Sequence, residues 1–504
     1  MQDRKKQIAF GAALSYISIA FNIIAGLIYT PWMVRQIGQS EYGLYTLATT
    51  LITLFLVDFG LSSATARYVS RYHAEGNEEK ANTFLGTIYQ LYLIIDAVIF
   101  LALLIVFLFA DSIYRSLTPE ELRQFKIVYL IAAGYSIINF PFVTLNGVLT
   151  AHELFIQQKL ADLIQRALTI LLVVIALIKG MGLYALVAAN AVSGLTVILF
   201  KLITIRKHTD IRVRFRQFDK PLLKELFGFS VWSTIGALSS RLIFNITPSI
   251  LGMVASSSAI AVFGIVTVIE GYTYTITNAI SGMFMPKISR IVVGNDTESS
   301  LQPLLIRVGK FQYALNGLIV AGFVVLGRDF IRLWMGEQYL SAYIGIVLVT
   351  LPGLFYNALQ IGHTTVIVQN KVKITALVSL LCGLINVVLS FFLSQKLGVT
   401  GASLSIFIAY IVRALVLSLL YHKKLDLDIL DFCKKCYLRL SPAVVCTIGL
   451  GFLWVKLLPT YNWLRLGCGG VVVCLTYSIL LPLFGLDASE KRAALQMIKR
   501  HLLK

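Results

Sequence analysis

The feature that most constrains this chain is the recurrence, from one end to the other, of apolar runs of about 18 or more residues. A run of that length crosses about 30 Å of hydrocarbon as an α-helix. Only helices and closed barrels satisfy their backbone in lipid, and long continuous runs without strand alternation specify helices. Composition agrees, with 57% of residues hydrophobic and 14% charged, against roughly a quarter charged in ordinary soluble domains. No stretch between the runs would hold a large soluble domain. The expected fold is an all-α polytopic membrane protein.

Apolar runs read against charge and Pro/Gly punctuation predict fourteen spans, near 8–32, 41–65, 84–109, 126–150, 160–178, 182–203, 225–252, 258–286, 309–327, 341–368, 374–395, 399–421, 437–457 and 463–485. With the N-terminus inside, the cytoplasmic ends and loops hold 31 of the 44 Lys and Arg and the opposite side holds 10. That asymmetry is what the positive-inside rule demands, and it puts both termini in the cytoplasm. It also accounts for most of the net charge of +19, so nucleic-acid binding is not needed to explain it. Arg4, Lys5 and Lys6 before the first run resemble a signal-peptide start, but no small-residue cleavage site follows, and the run is expected to stay as a span.

The two halves look related. Phe10-Gly11 with Thr30-Pro31 matches Phe227-Gly228 with Thr247-Pro248, 217 residues on. Ser70-Arg71 matches Ser289-Arg290, Gly180 matches Gly398, and Tyr42-Gly43-Leu44 corresponds to Phe263-Gly264-Ile265. Six spans is an even number, so this is a parallel repeat about an axis along the membrane normal, the architecture in which one lobe rocks against the other around a central site. The expected organisation is a lobe over 1–206, a basic cytoplasmic linker over 207–224, a second lobe over 225–424 and two unrepeated spans over 425–485. A basic amphipathic tail over 486–504, capped by Asp487 with Glu490, follows.

IGQSEYGLYTLATTLITLFLVDFGLSSATARYVSR, beginning at Ile37, resembles the signature of oligosaccharide flippases, the O-antigen/polysaccharide branch of the multidrug/oligosaccharidyl-lipid/polysaccharide exporter superfamily. RVRFRQFDKPLLKELFGFS before span 7, FIRLWMGEQYLSA after span 9 and LGVTGASLS entering span 12 agree with it, in the family's order and over nearly the whole chain. The resemblance implies translocation of an isoprenoid-diphosphate-linked oligosaccharide from the cytoplasmic to the outer leaflet of a bacterial or archaeal cytoplasmic (inner) membrane, for cell-surface polysaccharide biosynthesis. It implies a cavity between lobes lined by spans 1, 2, 7 and 8. In the related lipid II flippases spans 13 and 14 form a groove for the isoprenoid tail. The implied partners are the lipid-linked glycan, membrane lipids, and the polymerase and glycosyltransferases of the same pathway.

Such a substrate combines an anionic diphosphate, a polar glycan and a long apolar tail, and needs a hydrated, locally cationic cavity. Arg241, near the middle of span 7, is the candidate for the diphosphate, since a guanidinium stays charged and binds phosphate oxygens bidentately. A structural ion pair with an acidic residue such as Glu270 is the equal alternative. Asp58 and Glu270, mid-span in spans 2 and 8, are candidates for ion coupling or gating, because carboxylates at that depth are costly and normally functional. Asp58 is favoured as gate or counter-charge and Glu270 as the coupling group, driven by an H⁺ or Na⁺ gradient or by the membrane potential. Asn22, Asn245, Tyr272, Tyr274 and Asn278 are candidates for binding sugar hydroxyls, although interhelical hydrogen bonding is the commoner use of a mid-span amide. Arg67, Arg71 and Arg290 mark the cytoplasmic mouth, where the positive-inside rule alone would also place them. Asp162 and Arg166, four apart, are expected to pair along one helix face.

No nucleotide-binding loop, metalloprotease motif or nucleophile elbow is present, so neither an enzyme activity nor a cofactor is expected. Nor is a metal site expected: Cys433 and Cys436 form a single CxxC without two further ligands, read as reduced thiols in a cytosolic loop. Two rival functions remain: a multidrug or toxin cation antiporter of the same superfamily, and a non-transporting membrane scaffold for a glycan-assembly complex.

Overall fold

The computed structural model describes residues 2–213, 215, 220–282, 284–293, 297–369, 371–457 and 462–485, with side chains from residue 16 onward except at 220–230, 233, 280–282, 285–286, 293 and 297–300. Every regular element among these residues is a helix. The amphipathic tail over 486–504 lies outside the described residues, as does part of the basic linker.

Two compact units divide the chain, Met1–Gly264 and Ile265–Lys504. The first holds α1 (Gln2–Ile37), α2 (Gln39–Phe55), α3 (Leu61–Ala74), α4 (Glu78–Ile113), α5 (Pro119–Asn139), α6 (Thr144–Ala151), α7 (Phe155–Ile178), α8 (Gly182–His208), α9 (Lys220–Phe244), α10 (Thr247–Val254) and the start of α11 (Ser257–Gly282). The second continues α11 and adds α12 (Met285–Val293), α13 (Thr297–Trp334), α14 (Ala342–Thr350), α15 (Gly353–Tyr356), α16 (Gln360–Val368), α17 (Val372–Leu425), α18 (Ile429–Phe432), α19 (Arg439–Leu457) and α20 (Trp463–Gly485).

The helices are inside out relative to those of a soluble bundle. On α4, Leu85, Ile88, Tyr92, Asp96, Ile99 and Leu103 recur at helical spacing and are buried, whereas Ile94, Val98, Leu101, Ile105 and Leu108 are more than half exposed. An exposed stripe of that kind requires a solvent as apolar as the core, which a bilayer provides.

Among the described residues twelve helices are long and apolar enough to cross a membrane, against the fourteen spans expected. Two departures from straight helix explain the difference. Span 2 is broken at Leu56–Gly60 into α2 and α3, each too short to cross alone. Spans 11 and 12 run on as α17, interrupted only at Gly398, whose φ of 53° and ψ of −129° suit glycine. Cys433 and Cys436 do not lie in a loop; they sit in a π-helical turn between α18 and α19, with Cys436 buried.

Close helix packing in the first unit depends on glycine. A Cβ on Gly147 of α6 would stand 2.4 Å from the Ser62 carbonyl oxygen of α3, and one on Gly43 of α2 would stand 2.0 Å from that of Ser257. Small residues of this kind let membrane helices touch backbone to backbone.

Candidate functional site

The break in span 2 is written in its residues. Phe59 and Gly60 both take positive φ, 53° and 70°, and the helical ladder stops at Leu56, whose N–H still reaches Ile52. A phenylalanine held there is strained by about 1–3 kcal/mol, and strain of that kind collects at functional sites. Asp58 occupies the unwound segment. One of its oxygens accepts the Ser62 N–H at 3.3 Å, covering an orphan donor at the start of α3, and the other accepts the Tyr92 hydroxyl from α4. Tyr92 is fully buried, with its ring edge-on to Phe140 at 5.2 Å.

Span 7 is broken too. Its first part, α9, ends one turn after Arg241, whose carbonyl accepts both the Asn245 and Ile246 N–H groups at 2.9 and 3.1 Å. Pro248, in the first turn of α10, brings no N–H to the ladder. The half-buried Arg241 guanidinium stands within electrostatic reach of Asp58, and its buried Nη1 has no hydrogen-bond partner among the described residues. Discontinuous helices whose ends face one another at membrane depth are the construction by which transporters bind ions and anions.

Other expected residues fall in different surroundings. Asn22 donates to the Ser18 carbonyl of its own helix at 2.8 Å. Asn245 is half-buried at the end of α9. The charge beside Arg241 in the first unit is Asp58. Asp162 pairs not with Arg166 but with Lys159, at 3.6 Å. Arg166 turns instead toward Tyr29 and Tyr45 and keeps a buried Nε without an acceptor among the described residues. Tyr45 in turn accepts from Asn190 at 3.3 Å. Arg67 is exposed, its guanidinium 4.9 Å from the centre of the Tyr68 ring, and Arg71 pairs with Glu75 at 2.9 Å. Arg290 is exposed on α12.

In the second unit, Glu270, Tyr272 and Asn278 are half-buried and Tyr274 is exposed on α11. Glu270 and Tyr274 lie within electrostatic reach of Tyr410. Beside Tyr410, the buried Arg413 stacks at 4.7 Å over Tyr356. The sequence alone assigns no role to Arg413 and does not single out Tyr92, Tyr356 or Tyr410. Tyrosine is too common in membrane helices for its pattern alone to single these out.

The comparisons with known proteins agree with this architecture. The profile described as polysaccharide biosynthesis protein matches residues 9–292, more than half of the chain. A putative O-antigen transporter of Shigella flexneri is 24% identical over 404 residues, covering 77% of this chain and 92% of that protein. The uncharacterized membrane protein EpsK of Bacillus subtilis (strain 168) is 22% identical over 525 residues, covering 98% of each. Among solved structures, the lipid II flippase MurJ in an inward closed conformation superposes with a TM-score of 0.70 at 17% identity, over 93% of this chain and 98% of that one. An inward-facing multidrug resistance MATE family transporter gives 0.66 at 15% identity, over 81% of this chain and 98% of that one. The chain is thus a multi-pass membrane protein with the fold of the multidrug/oligosaccharidyl-lipid/polysaccharide exporters, and it belongs to the polysaccharide biosynthesis protein family.

Proposed function

We propose that this protein translocates an isoprenoid-diphosphate-linked oligosaccharide from the cytoplasmic to the outer leaflet of the cytoplasmic membrane by alternating access, with both termini in the cytoplasm. The observation that carries the reading is Arg241: a guanidinium at a broken helix end, half-buried beside Asp58, with a buried nitrogen that has no acceptor among the described residues. A diphosphate oxygen is the acceptor such a donor fits, and a charge-assisted bond there is roughly twice as strong as a neutral one. Asp58 balances the guanidinium while the site is empty and gates the cycle. Glu270 is the group that couples an H⁺ or Na⁺ gradient. A cation antiporter would find Arg241 repelling its substrate, and that argues against the drug-export alternative.

The test is translocation in liposomes of a polyprenyl-diphosphate glycan by the purified protein, with export followed in cells. Arg241→Ala is expected to abolish both and Arg241→Lys to retain part, because the point charge survives and the bidentate fork does not. Normal export by Arg241→Ala at normal protein level would end the substrate role. A protein that supports assembly of the glycan machinery without translocating would be a scaffold instead.

A further inference from the structure

His73, His152 and His208, at the ends of α3, α6 and α8, line one pocket of about 280 Å³ at one end of the first unit. At the opposite end, three loops are tied by side chains. The Ser40 hydroxyl, at the start of α2, donates to Glu121 Oε1 at 2.6 Å. The Ser257 hydroxyl, at the start of α11, donates to the same oxygen at 2.5 Å, and the two serine oxygens lie 3.1 Å apart. Glu121 is itself fixed, because its other oxygen accepts the Thr118 N–H at 2.9 Å in a capping box on α5. Beside this clasp the Tyr114 hydroxyl meets Ser249 Oγ at 2.7 Å, and Ser116 donates to the Gly252 carbonyl. The elbow between α10 and α11 is thus held to α2, α4 and α5 by hydrogen bonds.

Ser40 and Ser257 are 217 residues apart. Phe10-Gly11 and Thr30-Pro31 recur at the same separation. Gly43 seats the contact by leaving room for the Ser257 carbonyl, and Gly264, its counterpart, packs against Tyr42 and Thr46.

We propose that Glu121, clasping Ser40 and Ser257, is a latch that shuts the end of the protein facing the outer leaflet during one half of the cycle and releases in the other. This rests on the flippase reading and on the orientation given by the positive charges. α11 runs on from the clasp into the second unit. Two hydroxyls on one carboxylate oxygen make a contact strong enough to hold a closed state and small enough to break each turnover.

Ser40→Cys with Ser257→Cys, in a background whose six native cysteines are replaced by alanine, locks the latch on oxidation. Translocation is expected to fall at least about tenfold, the factor that 1.4 kcal/mol represents, and to return with reductant. Ser257→Cys alone is then labelled with a membrane-impermeant charged thiol reagent. Adding Glu121→Ala is expected to raise the labelling rate by a similar factor, and Glu121→Gln, which keeps the shape, checks that the effect is not misfolding. Unimpaired translocation by the oxidised pair overturns the latch. If neither oxidised nor reduced protein translocates, the flippase reading is what fails, and the labelling then decides: a rate unchanged by both Glu121 variants overturns the latch by itself.

Discussion

The contact between Asp58 and Tyr92 offers the sharpest quantitative test of the broken-helix site. Tyr92→Phe keeps the ring, its 0% exposure and its edge-on packing on Phe140, and removes only the O–H donated to Asp58. A hydrogen bond to a charged group contributes about 1.5–3 kcal/mol, and the loss leaves a half-buried carboxylate oxygen without its donor. Asp58→Asn keeps the volume, removes the charge that balances Arg241, and offers Tyr92 a neutral acceptor in place of a charged one. Each single change should therefore destabilise the fold by about 1–3 kcal/mol. The double variant should fall short of the sum by about 1 kcal/mol or more, because both singles break the same bond. Equilibrium unfolding of the purified protein in mixed micelles, run as a double-mutant cycle, measures the coupling. Additivity within about 0.3–0.5 kcal/mol would mean that the two side chains act independently and that Asp58 is not held by Tyr92. In the same variants substrate binding should survive Asp58→Asn better than turnover does, and unchanged export would remove the gating role.

Further expectations follow from other parts of the molecule. His152 lies between α6 and α7, its proton affinity lowered below the ordinary 6.5 by burial and then by the charge of His73. The unfolded chain takes up that proton first as pH falls, so the fold loses stability through the window below 6.5 and keeps it above. Melting temperature in detergent should drop on acidification across that window, and His152→Gln should flatten the drop. Gly147→Ala drives a methyl group into the Ser62 carbonyl 2.4 Å away and should destabilise by about 1–3 kcal/mol in thermal unfolding; a stability equal to wild type would mean that α3 and α6 do not pack as described. Glu270→Gln should make transport insensitive to collapse of the ion gradient, and a full residual response would remove Glu270 from coupling.

Much of the site was legible because the chemistry is local. The charge of Arg241 inside an apolar run needs an explanation wherever the helix goes, and Asp58 before Phe59-Gly60 already carries the ingredients of a break: a carboxylate that caps backbone N–H groups and a glycine that accepts positive φ. The apolar run from 41 to 65 hid that break, since hydropathy measures transfer to lipid and takes no account of the backbone path. Spacing also misled at Asp162 and Arg166, where an interval of four is necessary for an intrahelical pair and Lys159 offered an equally near cation.

The sequence by itself determined that the chain is a bundle of membrane helices, in what order the helices come, and which residues would be out of place in hydrocarbon. Each of these follows from transfer free energy and periodicity, which are properties of neighbouring residues. Only the tertiary structure decided that Tyr92 holds Asp58, that Arg241 faces Asp58 across two broken helices, and that Ser40 and Ser257 close on Glu121. Those partners lie 34 to 217 positions apart along the chain. Which hydroxyl meets which carboxylate depends on the rotation of each helix about its own axis, and close packing at residues such as Gly43 and Gly147 sets that rotation.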